Sequence, residues 1–277
     1  MAQGATARAE LEALLRARKL DRTVTRAEVT GQGAVATGIA VLDEALAGGL
    51  PRGEMSELAG PRSSGRSSVL CAAAAAATGR GELAALVDTL DMFDPASGAE
   101  AGIRLDRLLW IRGDAISRHP APVTPSRALF RRPATNSLRG GPEATGGDRA
   151  GGDPWSRVLD RAIKAVNLVL QAGGFDLVIL DLAEVPMEAI RRLPFTTWFR
   201  LQRTLEGSRT ACLLAAPAPV ARSAGGVTVQ LSRAADPHGG WLGKPGHARL
   251  FVGLDVDARI LRSREAAEDA CCFRVTA

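Results

Sequence analysis

Residues 60–68 read Gly-Pro-Arg-Ser-Ser-Gly-Arg-Ser-Ser. The spacing is that of a phosphate-cradling loop, G-x-x-x-x-G-K-[ST], with arginine in place of lysine. Such a loop constrains the fold, because it works only between a strand that delivers the first glycine and a helix whose N-terminus follows the second. Both flanks are present. Residues 53–59, Gly-Glu-Met-Ser-Glu-Leu-Ala, read as a strand running into the loop, and Val69 to Thr78 is alanine-rich with strong helix propensity. Gly60 and Gly65 would let successive backbone N–H groups turn inward on a phosphate, and Ser67 stands where a hydroxyl would hold magnesium. Arg66 is the departure. An ammonium is a compact charge on a thin stem, whereas a guanidinium is a broad plane that needs a different docking geometry. The loop is therefore expected to keep its shape and to lose much or all of its nucleotide affinity, so no cofactor is expected beyond weak residual ATP and magnesium.

The 277 residues suggest one domain, or one with appendages, and 46% hydrophobic content suffices for a sizeable core. No apolar run is long enough to span a membrane, and the acidic, arginine-containing start lacks a signal-peptide pattern, so a cytoplasmic location is expected. The four cysteines, at 71, 212, 271 and 272, show no C-x-x-C spacing; Cys71 and Cys212 lie in apolar runs that suit buried, reduced thiols. His238 and His247 have no cysteine or acid cluster around them, so no metal site is expected there. A formal charge of +5 permits only weak attraction to nucleic acid.

Residues 7–19 place Leu11, Leu14 and Leu15 on one face of a helix that could dock on its own core or on a partner. Residues 36–53 read as a short helix closed by a Gly-Gly turn. Buried strands are expected at 82–88 and 105–112. From 113 to 154 the chain is rich in Pro, Gly, Ser, Thr and Arg without a hydrophobic period. It reads as a flexible insertion: either a disordered surface loop or a basic segment that orders on DNA or on another protein. A helix is expected over 155–171, then a strand over 175–181 that ends in the carboxylate of Asp181. Residues 187–206 form a helix pair, or one helix bent at Pro194, with Trp198 and Phe199 expected in the core. Further strands are expected at 210–216, 226–231 and 248–257, the last ones antiparallel around a turn-rich stretch at 236–246. Lys244, Arg249, Arg259, Arg262 and Arg264 make this end basic, either as a solvated face or as a surface for nucleic acid or a partner. The chain thus divides into an N-terminal helix and linker, 1–35, and a core, 36–277, that carries the insertion.

The run T-G-I-A-V-L-D-E-A-L-A-G-G-L-P-R-G-E at 37–54, followed by A-G-P-R-S-S-G-R-S-S at 59–68, resembles the opening of the RecA core. The resemblance implies an α/β fold: a RecA-like, mostly parallel central sheet flanked by helices, with antiparallel C-terminal edge strands. Asp88-Thr89-Leu90-Asp91-Met92-Phe93-Asp94-Pro95 resembles the RecA stretch Asp-Ala-Glu-x-x-x-Asp-Pro, whose glutamate polarises the attacking water. Aligned on Asp88, Asp94 and Pro95, that glutamate position falls on Leu90, which accepts no proton; Asp91, one residue on, is the candidate for rescue. The strand ending in Asp181 resembles a Walker B strand, whose aspartate reaches the magnesium water shell. RecA-like proteins end the next strand with a glutamine that senses the γ-phosphate, where this chain has Ala215-Ala216-Pro217.

Lysine, base and sensor are thus all altered, and a scaffold that no longer turns over ATP is expected, with no catalytic residue and no metal; Gly60, Gly65, Arg66, Ser67 and Asp181 form a degenerate nucleotide site. Among RecA-like proteins of this kind the chain is similar in size and layout to the ImuA family. That resemblance implies an accessory of damage-induced translesion synthesis, associated with the nucleoid, that binds an ImuB-like Y-family polymerase homologue and RecA, and that could self-associate. Two other readings stand beside it: an active P-loop ATPase acting as a recombination mediator, with Arg66 on phosphate and Asp91 as base, and a SulA-like inhibitor of cell division.

Overall fold

Leucine, valine and alanine fill both faces of the central strands, the pattern of a sheet covered on both sides by helices. The structure, a computed structural model, describes residues 33–113, 153–221, 225–234, 240–242, 250–263 and 269–276. The helix expected over 7–19, and all but the ends of the insertion expected at 113–154, lie outside the described residues. So do His238, Lys244, His247, Arg249 and Arg264.

The elements run β1 (Ala34–Val35), α1 (Ala40–Ala45), β2 (Leu50–Pro51), β3 (Met55–Ala59), α2 (Arg66–Gly79), β4 (Ala84–Asp88), α3 (Pro95–Glu100), a 3-10 turn (Leu105–Arg107) and β5 (Leu108–Arg112). After the insertion come α4 (Pro154–Ala172), β6 (Leu177–Asp181), α5 (Met187–Ile190), α6 (Phe195–Leu205), β7 (Ala211–Ala216), β8 (Thr228–Arg233), β9 (Trp241–Leu242), β10 (Leu250–Phe251), β11 (Gly253–Arg262) and β12 (Ala270–Thr276). The main sheet has the order β12-β11-β8-β3-β7-β6-β4-β5. The strands from β8 to β5 are mutually parallel, whereas β11 and β12 add antiparallel at one edge.

Strand pleat sorts the apolar residues into two cores. Leu177 and Ile179 of β6, with Ala211 and Leu213 of β7, face α1 and α2, while Val178 and Leu180, with Cys212 and Leu214, face α4, α5 and α6. Helix α2 brings Ala73, Ala74 and Ala77 against the sheet, small side chains that allow close approach. Helix α4 starts on an Asp153 side chain that accepts from the Trp155 N–H (3.3 Å), with Pro154 in the first turn, and it stops at Gly173.

The long motif at 37–54 has a structural cause. The Asp43 carboxylate accepts from Thr37 N (2.7 Å), Thr37 Oγ1 (2.7 Å) and Gly38 N (3.2 Å), pinning residues 37–39 to the helix that follows. Gly38 has φ +80°, and a Cβ there would meet Ala72 O and Ala76 Cβ at 3.0 Å, so the segment lies directly on α2. Three elements differ from expectation. Residues 50–51, near the end of the 36–53 region, pair with residues 34–35 just before it as a small hairpin, β2 with β1, and the turn at Gly48-Gly49 brings Val35 opposite Leu50. β11 runs past Asp257 to Arg262, placing Arg259 and Arg262 within a strand. The cysteine pair 271–272 lies in β12, whose Phe273 is buried beside Val256.

Candidate functional site

Parallel strands carry their C-terminal ends to one edge of the sheet, where ligands bind in open α/β folds. Register puts Arg112, Asp88, Asp181, Ala215 and Leu58 in one row across β5, β4, β6, β7 and β3. The loop 60–65 rises from β3 at that edge and enters α2. A Cβ on Gly60 would meet Ser64 Oγ at 2.5 Å and Leu231 O at 2.6 Å, so only glycine fits there. Gly65 has φ +91°, and a Cβ would meet Val256 Cγ2 at 2.7 Å, because β11 packs against the loop. Ser63 also has positive φ, 59°. Ser64 is buried and its Oγ has no hydrogen-bond partner. Ser67, in the first turn of α2, is exposed.

Arg66 is 4% exposed. Its guanidinium donates from Nη1 to Ala183 O (2.7 Å) and from Nη2 to Glu184 Oε1 (3.1 Å), in the turn that follows β6. Burial pulls the guanidinium below its ordinary pKa, while Glu184 and then Asp181 oppose that shift. The second oxygen of Glu184 accepts from Nε of Arg62, so one carboxylate joins two arginines of the same loop. Both terminal nitrogens of the Arg66 guanidinium therefore already donate to acceptors of the protein itself.

Asp181 ends β6 with its carboxylate accepting from Ala183 N (2.9 Å). Burial pushes it up to about 6; Asp88 and Glu184 add to the rise, and the Ala183 N–H and Arg66 oppose it. Asp88, Leu90, Met92, Asp181 and Glu184 surround a cavity of about 10 Å³, room for about one water. The carboxylate of Asp88 accepts from Met92 N (2.9 Å), Phe93 N (2.8 Å) and Trp110 Nε1 (3.2 Å), which fixes the 89–93 turn. Leu90 is half-buried and packs on the α4 side of the core. Asp91 has φ 56° and makes a two-pronged pair with Arg112 (2.8 and 2.7 Å), whose guanidinium lies 4.7 Å over the Trp110 ring. The structure therefore brings Arg66 and Asp181 together and turns Asp91 toward β5.

Two acids in the neighbourhood were not singled out from sequence. Glu184 had no signal other than its closeness to Asp181. Glu57 interrupts the apolar strand β3; it is 2% exposed and accepts from Val220 N (2.5 Å) and Ala221 N (3.1 Å), tying down the segment after β7. Burial raises its pKa, against the pull of those two N–H groups and of Arg262. Among the described residues no group of three metal-ligating side chains is arranged to hold a metal ion, and no helix is long and apolar enough to cross a membrane.

The family model for the RecA N-terminal domain matches residues 19–118. This stretch holds the loop, β4 and the Asp88 turn. The chain has a RecA-like core. Over 80 residues it is 40% identical to Protein RecA of Synechocystis sp., covering 29% of this chain and 23% of that protein. It is 43% identical over 76 residues to Protein RecA of Chlorobaculum tepidum (27% and 22%) and 38% identical over 96 residues to Protein RecA of Streptococcus pyogenes serotype M49 (34% and 24%). The chain spans less than a quarter of the length of these relatives. The sequence similarity covers the loop itself, whereas Ala183, Glu184 and Val256, which contact it, lie outside the matched residues.

Proposed function

We propose that this RecA-like protein is an ATPase-inactive accessory of damage-induced translesion synthesis, similar to ImuA, which works by binding an ImuB-like polymerase homologue and RecA in the cytoplasm. The observation that carries the ATPase-inactive part is the position of the Arg66 guanidinium, bonded to Ala183 O and Glu184. The cation that would meet β- and γ-phosphates is committed to the protein, and rate enhancement in phosphoryl transfer rests almost entirely on such positioned charges. Leu90 at the edge of the acidic cavity supports the same reading, since it offers no acceptor to a water. Asp91 is held by Arg112, which argues against its service as a base. The residues present do not fit a magnesium triphosphate as they stand: the loop cation is taken, and Asp88, Asp181 and Glu184 face the space where further negative charge would enter.

Equilibrium binding of a fluorescent ATP analogue with magnesium, together with phosphate release, tests the inactive engine. The expectation is no saturable binding at millimolar nucleotide and no release above background; tight binding weakened by Arg66→Ala would establish an ATPase instead. The accessory role is tested genetically. Loss of the gene should lower mutation frequency after ultraviolet exposure and leave recombination intact, and an unchanged mutation frequency would reject it.

A further inference from the structure

We infer that Glu184 is a built-in counter-anion that closes the 60–66 loop, and that the loop is a latent site for polyphosphate-type anions that this carboxylate keeps shut. This rests on the reading of the loop as nucleotide-free. The contacts have a specific form. Arg62 and Arg66 flank the crest 63–65, and the two oxygens of Glu184 take one guanidinium each, so the carboxylate ties both ends of the crest to the turn after β6. The two ends differ in solvation: the Arg62 side chain is 82% exposed and that of Arg66 4%. The exposed pair contributes little by itself, whereas a buried guanidinium requires a partner. Without Glu184, Arg66 would retain Ala183 O and the nearby Asp181, whose carboxylate is already crowded by Asp88.

The rest of the loop keeps what an anion needs. Ser63 and Gly65 hold positive φ, the backbone habit that turns N–H groups to one side, and the Ser64 Oγ is buried with no partner. An anion bearing several negative oxygens would replace Glu184 on Arg62 and Arg66. The wild-type chain resists this because its own carboxylate is covalently attached, which gives it an effective concentration on the order of millimolar or higher.

Titration calorimetry with inorganic tripolyphosphate, without magnesium and at low salt, tests the inference. Glu184→Ala should bind at least about tenfold more tightly than wild type, about 1.4 kcal/mol, and the double variant Glu184→Ala with Arg66→Ala should lose that gain. Glu184→Gln, which keeps shape and a hydrogen-bond acceptor but no charge, should show an intermediate gain and serves if the alanine variant melts early. A folded Glu184→Ala or Glu184→Gln protein that binds no more tightly than wild type overturns the inference, as does a gain that survives loss of Arg66. Phosphate release from ATP by wild type would instead overturn the proposed function, and the two failures are separately readable.

Discussion

Asp181 carries the clearest electrostatic cost in the RecA-like core. Its carboxyl is raised from 3.8 to about 6, first by burial, with Asp88 and Glu184 adding to it. A raised acid binds more protons folded than unfolded between those two values, so its contribution to stability falls as pH rises from about 4 to about 6 and stays lost above that range. Glu57 is shifted in the same direction and titrates in both wild type and an Asp181 variant. Asp181→Asn should therefore be more stable than wild type above pH ~6 by about 3 kcal/mol, with the gap closing below pH ~4. Urea unfolding across that range measures it; a constant gap would place the raised pKa elsewhere. The same reasoning accounts for Arg66, since a guanidinium cannot shed its proton when buried and must find oxygen acceptors instead. Ala183 and Glu184 supply them.

Among the elements, α6 shows how a helix separates neighbours that sequence treats alike. Trp198 and Phe199 were both expected inside, yet Trp198 is 3% exposed and Phe199 45%. The cause is the helical period: consecutive residues lie about 100° apart, so when Trp198, Leu201 and Leu205 face the sheet, Phe199 falls with Phe195 on the outer side. Arg203 lies 5.8 Å over the exposed Phe199 ring. Trp198→Ala should cost about 3–5 kcal/mol, and Phe199→Ala less than about 1 kcal/mol. Thermal or denaturant unfolding checks this, and equal losses would mean that Phe199 is covered. Gln202 of the same helix is buried for another reason: its Oε1 accepts from Met55 N (2.9 Å) and Gly225 N (3.2 Å), closing the backbone at the start of β3.

For the whole molecule, the antiparallel edge is what encloses the phosphate-type loop. β11 presses Val256 onto Gly65, and β12 covers β11 from the other side, with Phe273 buried and Arg274 paired to Asp255 at 2.6 and 2.7 Å. Removing residues from 269 onward would leave β11 as a bare, ten-residue edge and uncover the α1 side of the core. Exposed edges of this kind pair with other chains. The truncated protein should elute as aggregates in size-exclusion chromatography and melt at lower temperature than the intact chain. A monomeric truncation with unchanged melting would show that the edge is dispensable.

The sequence alone determined the parallel sheet, the loop between β3 and α2, and the pairing of helices to strands. These follow from local periodicity and from a motif whose residues act on close neighbours, as Asp43 does on Thr37 and Gly38. It also carried arginine at position 66, where the loop motif has lysine, and leucine at position 90, because residue identity needs no coordinates. Tertiary structure alone decided where the Arg66 guanidinium points, that Glu184 answers it from 118 positions away, and that Val256 lies against Gly65. Those contacts join segments far apart in the chain, and no spacing rule connects a lone glutamate after β6, or a valine in an edge strand, to a loop more than a hundred positions earlier.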